Sequence, residues 1–128
     1  MSIESVLYDR ARTFAGLSAL VGTRIYPNLQ PQQVADKSVT FRRISAERVS
    51  AMGADTGLVR ARYQFDAWAH NYDDARAIAD QLRLCFQRWN TTVGTVVQDV
   101  YVLNDVELYE DDTQTHHVAV DFEFIYRE

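Results

Sequence analysis

The composition of this chain excludes several classes of protein before any motif is considered. At 128 residues, with 47% hydrophobic and 24% charged residues, it has the size and balance of one globular domain with a modest core. A net charge of −5 with a single lysine, Lys37, argues against a protein that wraps nucleic acid. The lone cysteine, Cys85, excludes an intrachain disulfide and a cysteine-based zinc set. Without a long apolar run or a basic and then apolar start, we expect no membrane span and no signal peptide, and hence a protein that stays in the cytosol where it is made.

The first segment of the chain is predicted to be helical. Ser2 is a suitable N-cap, and apolar residues recur at helical spacing over residues 2–21. This helix ends at Gly16 or continues past it as a short second turn. Residues 23–27 are predicted to be a short extended piece, and residues 28–37 a loop.

Two strands follow, joined by a segment rich in glycine and small polar residues. Residues 38–46 are predicted to be a strand with imperfect alternation. Residues 58–69 alternate cleanly between apolar and polar side chains, which is typical of a sheet with one covered face and one wet face. The connecting residues 47–57 are too long for a tight hairpin, so we predict a mobile arm. The groups of this arm that can anchor on a partner are Arg48, Val49 and Met52.

The second predicted helix begins after Asn71, a good N-cap, and is expected to stop near Asn90. Two aspartates occupy its positive N-terminal end, where the helix dipole stabilises negative charge. One apolar stripe runs along the helix with Cys85 at its edge, so we expect Cys85 to be buried and unreactive. Leu84 points away from that stripe and is expected to be exposed.

A hairpin is predicted to close the chain, from residues 95–109 into residues 115–127. The second of these strands alternates, whereas residues 100–103 are apolar on both faces. Such a pattern indicates that a helix, the arm or another subunit covers the second face, with Tyr101 and Leu103 in the contact.

The order of these elements predicts one α+β domain over residues 1–128. We expect a mainly antiparallel sheet of about four strands with two helices packed on it. The sequence contains no repeat, low-complexity tract or linker that would divide it.

No spaced catalytic motif accompanies the reactive residue types in this sequence. His116 and His117 adjoin on a predicted strand, so their side chains point to opposite faces and cannot form one metal site; we expect both to be solvated. We therefore predict that the chain is not an enzyme and that it has neither a cofactor nor a metal. Two alternatives remain open: a small-molecule or peptide binding module, and an enzyme that uses His116 or His117 with Asp121.

Charged residues of the predicted strands suggest contacts between subunits. If the first two long strands pair, several of four arginines share the wet face of the sheet. The C-terminal hairpin supplies acids that a neighbouring basic patch can meet. A basic patch and an acidic tip on one chain suit head-to-tail packing, which closes rings. The four arginines are Arg42, Arg43, Arg60 and Arg62.

The ordered set of motifs resembles the small tail-completion, or tail-terminator, family of long-tailed phages, prophages and gene-transfer agents. The matching stretches are VGTRIYP (residues 21–27), GLVRARYQFDAWA (57–69), YDDARAIADQLR (72–83), TVGTV (92–96) and the terminal ELYEDDTQTHHVAVDFEFIYRE (107–128). Together they cover nearly the whole chain, and their specificity lies in their order.

The resemblance implies a structural virion protein at the head-proximal end of a tail, made in the bacterial host cytoplasm. It implies a homo-oligomer, a hexameric ring, that terminates the tail tube and joins it to a head-side connector or stopper protein. Its partners would be the tube protein and that connector, with DNA passing through unbound and no membrane contact. The resemblance carries over no catalytic residue.

Two residue sets follow from these expectations. The subunit or partner interface is predicted to include Arg42, Arg43, Arg48, Val49, Met52, Arg60, Arg62, Leu84, Tyr101 and Leu103. A pore that passes DNA should repel phosphate, so its wall should carry more carboxylates than arginines. The pore-facing acids are predicted to be Asp105, Glu107, Asp111, Asp112, Asp121 and Glu123.

Overall fold

Three helices and five strands make up the described part of the chain in the computed structural model. The structure describes residues 2–27, 37–92, 96–110 and 114–127. The helices are α1 (Ile3–Thr13), α2 (Ala15–Val21) and α3 (Tyr72–Phe86), and the strands are β1 (Ile25–Pro27), β2 (Ser38–Ala51), β3 (Ala54–Ala69), β4 (Val96–Glu110) and β5 (Thr115–Arg127). The predicted loop at residues 28–37 lies, except for Lys37, outside the described residues.

The strands form one mixed sheet in the order β1-β2-β3-β5-β4. β1 runs parallel to β2, and the other neighbours are antiparallel. The α+β class is thus confirmed, while the expected four strands and two helices are wrong in number. β1 is only three residues long, which is too short for alternation to reveal it as a sheet strand. The first helix is two helices, because Phe14 is extended and its N–H bonds to Arg10 O at the end of α1.

All three helices lie on one side of the sheet, and the core fills the space between them. Its centre is an aromatic cluster around Phe86 of α3, whose ring lies 4.8 Å from Phe65, 5.6 Å from Phe122 and 5.4 Å from Phe124, centroid to centroid. All four side chains are fully buried. Burying one such ring contributes about 1.5–3 kcal/mol, so this cluster is a main source of the stability of the fold.

The N-terminus of α3 is capped as the sequence predicts, but its C-terminus comes earlier. Asn71 Oδ1 accepts a hydrogen bond of 2.8 Å from the Asp73 N–H. The helix ends at Phe86 rather than near Asn90, because Arg88 adopts a left-handed conformation with φ of 60°. Cys85 is fully buried, as expected.

The segment between the first two long strands is a continuation of those strands and not a separate loop. β2 and β3 pair up to Ala51 and Ala54, with a tight turn at Met52 and Gly53. Gly53 takes a φ of +79°, which glycine adopts without steric cost. The prediction failed because the register shifts between Arg43 and Ser45 and again between Arg48 and Ser50. Each bulge reverses the alternation, so the pattern does not read as a strand.

A bulge also explains the apolar run in β4. Val100 and Val102 pair with Phe124 and Phe122 and face the helices, whereas Tyr101 pairs with Glu123 on the opposite face. The register then shifts between Val102 and Asn104, so Leu103 is the extra residue.

Candidate interaction surfaces

A polar cluster lies on the face of the sheet that the helices leave uncovered. His117 Nε2 is 3.0 Å from Asp66 Oδ1, an ion-pair distance without hydrogen-bond alignment, and its ring stacks on Trp68 at 4.0 Å. Gln64 Nε2 donates to Asp66 Oδ1 at 2.7 Å, and Trp68 Nε1 donates to Thr40 Oγ1 at 2.9 Å. His117 is only 8% exposed, so the expectation of a solvated histidine is wrong for it. Trp68, which lies on the neighbouring strand β3, covers His117, and no local sequence pattern could reveal this.

The histidines do not assemble with the acid that the enzyme alternative requires. His117 faces Asp66, while Asp121 forms a salt bridge with Arg62 and lies four residues along β5, about 13 Å away. His116 points to the helix side, where it contacts the rings of Tyr72 and Tyr109. The His117 ring nitrogens make no hydrogen bond to a hydroxyl or thiol of the described residues. Within those residues there is also no group of three or more His, Cys, Asp or Glu side chains placed to hold a metal ion.

The remaining reactive group, Cys85, is held in a protonated state by its surroundings. Burial raises the pKa of the Cys85 thiol to about 12. Its backbone carbonyl accepts two hydrogen bonds from the Arg10 guanidinium, of 3.1 and 2.8 Å. Cys85 therefore joins α3 to α1 and has no nucleophilic thiolate at neutral pH.

Three of the four arginines share the wet face, as predicted. Arg60 forms a salt bridge of 3.2 Å with Glu123, and Arg62 pairs with Asp121. Both contacts join β3 to β5 within one chain. The four residues therefore form a ladder of matched charges, and two predicted pore-facing acids already have cationic partners. Arg42 is exposed on the same face.

Arg43 lies on the helix side of the sheet and not with the other three arginines. Its guanidinium donates to the hydroxyls of Tyr63 and Tyr126, both at 3.1 Å, and is 3.4 Å from Glu4 of α1. Tyr63 in turn donates to Glu4 at 2.8 Å. These contacts fasten the start of α1 to the sheet, which makes Arg43 in part a structural residue.

Arg76 of α3 forms ion pairs with acids of the C-terminal hairpin and of its own helix. Its guanidinium lies 2.8 Å from Asp105, 3.3 Å from Glu107 and 3.1 Å from Asp80. The hydrogen bonds with Asp105 raise the pKa of Arg76 above its ordinary value. One cation meets three carboxylates here, so the patch keeps a net charge of −2. The predicted acids Asp111 and Asp112 lie outside the described residues.

Large apolar side chains are exposed along β4. Tyr101 is 39% exposed and Leu103 47%, in agreement with the sequence interpretation. The predicted contact residues Leu84 and Met52 are exposed as well, Arg48 is exposed, and Val49 is half-buried. Sequence reasoning missed further exposed residues of the same kind, which are Ile44, Tyr72, Val106, Leu108 and Tyr109. The sequence signal for the exposure of Val106, Leu108 and Tyr109 was the run DVELYE (residues 105–110). In this run apolar and acidic residues are mixed on an edge strand.

Two long stretches of backbone at the sheet edges have no strand partner among the described residues. β4 is the last strand on one side, and residues 88–91 occupy the start of its outer edge: Thr91 and Val97 exchange two backbone hydrogen bonds of 3.0 Å, and the Arg88 N–H donates to Val100 O at 2.9 Å. On the other side, β1 pairs only with Val39, Thr40 and Phe41 of β2. From Arg42 onward, the outer edge of β2 has no strand partner within the part of the chain that the structure describes.

An open cleft of about 590 Å³ lies between α1, β1 and β2. Its floor is apolar and its rim carries acids, and the lining residues are Glu4, Ser5, Tyr8, Asp9, Ile25, Pro27 and Phe41. The apolar floor and polar rim of this cleft are of the kind that a small ligand or peptide can occupy. In the described part of the chain, no helix is long and apolar enough to cross a membrane.

Comparison with known proteins gives one family and one fold. The family described as "Tail completion protein gp17" matches residues 5–127. No curated protein sequence matches this chain. A chain of a solved structure described as "Virion of native gene transfer agent (GTA) particle" is similar with a TM-score of 0.81 and 16% identity, over 99% of this chain and 96% of that one. At that identity the likeness shows a shared fold.

Proposed function

The chain belongs to the tail completion protein gp17 family, a family of structural proteins of phage-type tails, and from this premise we propose that it is the ring-forming subunit that terminates the tail tube. In this proposal six copies close a ring at the head-proximal end of the tail. One side of the ring binds the tube protein, and the other binds the head-side connector or stopper protein.

The observation that carries this proposal is the exposed apolar surface of β4. Tyr101, Leu103 and Leu108 are each between 39% and 48% exposed on the last strand of the described sheet. Soluble monomers rarely present contiguous apolar surface of this kind, because it costs free energy in water. Exposed apolar side chains also lie on other elements of the described chain, Ile44 on β2 and Leu84 on α3. In the proposed ring the β4 surface meets a different surface of the next copy, because repeated contacts between different surfaces close rings.

The proposed interface further includes the other exposed residues of the hairpin turn and the arginine row. Arg48, Val49 and Met52 would contact a neighbouring subunit or the tube, and Leu84 of α3 a second partner. Arg42 would contribute more to such a contact than Arg60 or Arg62, because these two are engaged with acids of β5 in the same chain. An arginine already paired in the free subunit contributes less to a new contact.

The lumen of the ring is proposed to carry more carboxylates than arginines, so that DNA passes without binding. The charge distribution supports Asp105 and Glu107 as lumen residues, because the patch around Arg76 keeps a net charge of −2. Asp121 and Glu123 are matched one to one by arginines and would repel phosphate less.

Electron microscopy of the purified protein with tail tubes tests the proposal. We expect a ring of density at one end of each tube and six-fold class averages. The Leu103→Glu variant should lose this ring and keep its fold, as judged by circular dichroism, whereas Thr13→Glu on the exposed face of α1 should retain it. A protein that stays monomeric and leaves the tube ends bare would contradict the assignment.

Two binding measurements separate the remaining readings. We expect no tight duplex DNA binding at physiological salt, and tight binding would contradict the proposed lumen. The cleft beside α1 favours a binding module as the second candidate function. A thermal-shift screen of small molecules and peptides that stabilised the protein through this cleft, with no assembly on tubes, would favour that candidate.

A further inference from the structure

A small pocket lies where the start of α3 meets the β4–β5 hairpin, on the helix side of the sheet. Its volume is about 190 Å³, which is enough for the head group of one side chain and less than a drug-sized ligand requires. The rings of Tyr72, Tyr109 and His116 line this pocket together with Glu107. It shares no lining residue with the larger cleft beside α1.

The strand register brings these side chains together. Tyr109 pairs with His116, and Glu107 lies two residues before Tyr109 on the same face of β4. The centroid of the His116 ring is 4.9 Å from that of Tyr109 and 5.8 Å from that of Tyr72, with interplanar angles of 55° and 76°. The rings are therefore steeply inclined to one another and form walls rather than a stack. Aromatic walls attract a cation, because the face of each ring carries partial negative charge.

The Glu107 carboxylate has capacity for a further hydrogen-bond donor. It accepts a hydrogen bond from the Tyr72 hydroxyl, which raises the pKa of Tyr72 above its ordinary value, and it lies 3.3 Å from the Arg76 guanidinium. A carboxylate has about four acceptor positions, so these two contacts within the described residues leave part of it available.

The charge around the pocket stays negative after the ion pairs of the described residues are counted. Arg76 is shared by three carboxylates, which leaves a net charge of −2. Asp73 and Asp74 follow Tyr72 in the first turn of α3 and have no ion pair within the described residues. Their charge exceeds the partial positive charge of about half a unit at a helix start. This surplus disfavours an anion as the ligand.

The donor set also favours an organic cation over a metal ion. Within the part of the chain that the structure describes, no three His, Cys, Asp or Glu side chains are placed to hold a metal. A guanidinium or ammonium group needs only one carboxylate and aromatic faces, which this pocket provides.

The pocket adjoins the exposed apolar surface of β4. Leu108 lines the pocket and is 48% exposed, and Tyr72 and Tyr109 are 43% and 51% exposed. A protein that packs on β4 would therefore place its own side chains beside the pocket.

We propose that the pocket formed by Tyr72, Tyr109, His116 and Glu107 binds the cationic head group of an arginine or lysine side chain from a partner protein. The identity of the source as a protein rests on the proposed function, in which β4 contacts another subunit. The pocket itself is complete in the free subunit. Glu107 then lies where this contact meets the proposed lumen, with Asp105 on the lumen side.

Nuclear magnetic resonance titrations of the free protein with N-acetylargininamide test the pocket. We expect a Kd on the order of 1–10 mM, with amide shifts concentrated at residues 72, 107–109 and 116–118. N-acetylcitrullinamide has the same shape without the charge and should bind about ten-fold more weakly. Equal affinity for the two probes would overturn the cation site, and so would shifts centred on the cleft beside α1.

Paired variants test which groups hold the cation. Replacing Tyr72 and Tyr109 together by leucine should weaken binding of the arginine probe by about ten-fold, whereas replacing both by phenylalanine should preserve it, because the rings remain. Glu107→Gln should weaken binding several-fold, and Glu47→Gln at the far end of β2 should not change it. Circular dichroism should show the same fold for all four variants, since these side chains are exposed. Undiminished binding by the double leucine variant would overturn the role of the rings.

Assembly on tail tubes tests the source of the cation. The double leucine variant should leave several-fold fewer tube ends with a ring, whereas the double phenylalanine variant should assemble like the unmodified protein. Binding of the arginine probe together with undiminished rings in the double leucine variant would overturn the partner contact and leave the proposed function standing. Tube ends without rings in the unmodified protein would contradict the proposed function itself.

Discussion

The ion pair between Arg76 and Asp105 allows a quantitative test of how the C-terminal hairpin is held on α3. Two nitrogens of the guanidinium meet the two oxygens of Asp105, at 2.8 and 3.2 Å. Arg76 is 26% exposed and Asp105 34%, so water screens the pair only in part. A hydrogen bond to a charged group contributes about 1.5–3 kcal/mol when buried, and an exposed pair about 0.2–1 kcal/mol. We expect a coupling between the two residues of about 1–2 kcal/mol.

A double-mutant cycle with Arg76→Met and Asp105→Asn measures this coupling by urea unfolding and thermal melting. Methionine keeps an apolar side chain in place of the arginine's methylene groups and removes only the charged guanidinium group. The Arg76→Met variant alone should melt about 3 to 10 °C lower than the unmodified protein, because it also leaves Glu107 and Asp80 without their cation. Arg83→Met on the same helix is the matched control. Within the described residues the Arg83 side chain makes one hydrogen bond, of 3.5 Å to Gln87, so this variant should shift melting little.

The salt dependence of the coupling energy gives an independent check on the same ion pair. The coupling should fall when the salt concentration rises from 0.05 to about 1 M, because the Debye length drops to about 3 Å. A coupling below about 0.3 kcal/mol at low salt would refute the reasoning, since it would equal the scatter expected of independent sites.

Three further predictions concern the core, the turn and the thiol. Phe86→Ala should lower the free energy of unfolding by about 3–5 kcal/mol in denaturant titrations, while Leu84→Ala beside it should change it by about 0.5 kcal/mol or less. Gly53→Ala should cost about 1 kcal/mol through its positive φ, and it should speed amide exchange at the end of the β2–β3 hairpin, with Met52→Ala as a neutral control. The Cys85 thiol should resist disulfide reagents until the chain unfolds. Burial raises the pKa of the Cys85 thiol from 9.0 to about 12, so the thiol's contribution to the free energy of unfolding is complete below pH 9 and is lost between pH 9 and 12. The Cys85→Ala variant should lack this loss of stability.

Local patterns in the sequence were sufficient for the elements whose side chains repeat without interruption. Helix α3, from its Asn71 cap through its apolar stripe, and strand β5 lie where the periodicity places them. The burial of Cys85 and the exposure of Leu84 follow from the same period of 3.6 residues. Helical and extended periods are properties of neighbouring residues, so the sequence alone determines them, together with the α+β class.

Bulges mark the limit of that reasoning. A single extra residue reverses which side of a strand is covered. The runs around Ile44, Val49 and Leu103 therefore read, in that order, as a strand with imperfect alternation, an arm, and a strand buried on both faces. Only the pairing with β3 and β5 identifies both segments as edge strands with one exposed apolar side chain out of register.

The tertiary structure alone decides which charges are free and which are already neutralised. The sequence places arginines on β3 and acids on β5, but the pairing of Arg60 with Glu123 and of Arg62 with Asp121 depends on a register between residues about sixty positions apart. The burial of His117 beneath Trp68 depends on the same register. Registers between distant strands are set by the packing of the whole core and by the turns that join them, and no window of neighbouring residues contains that information.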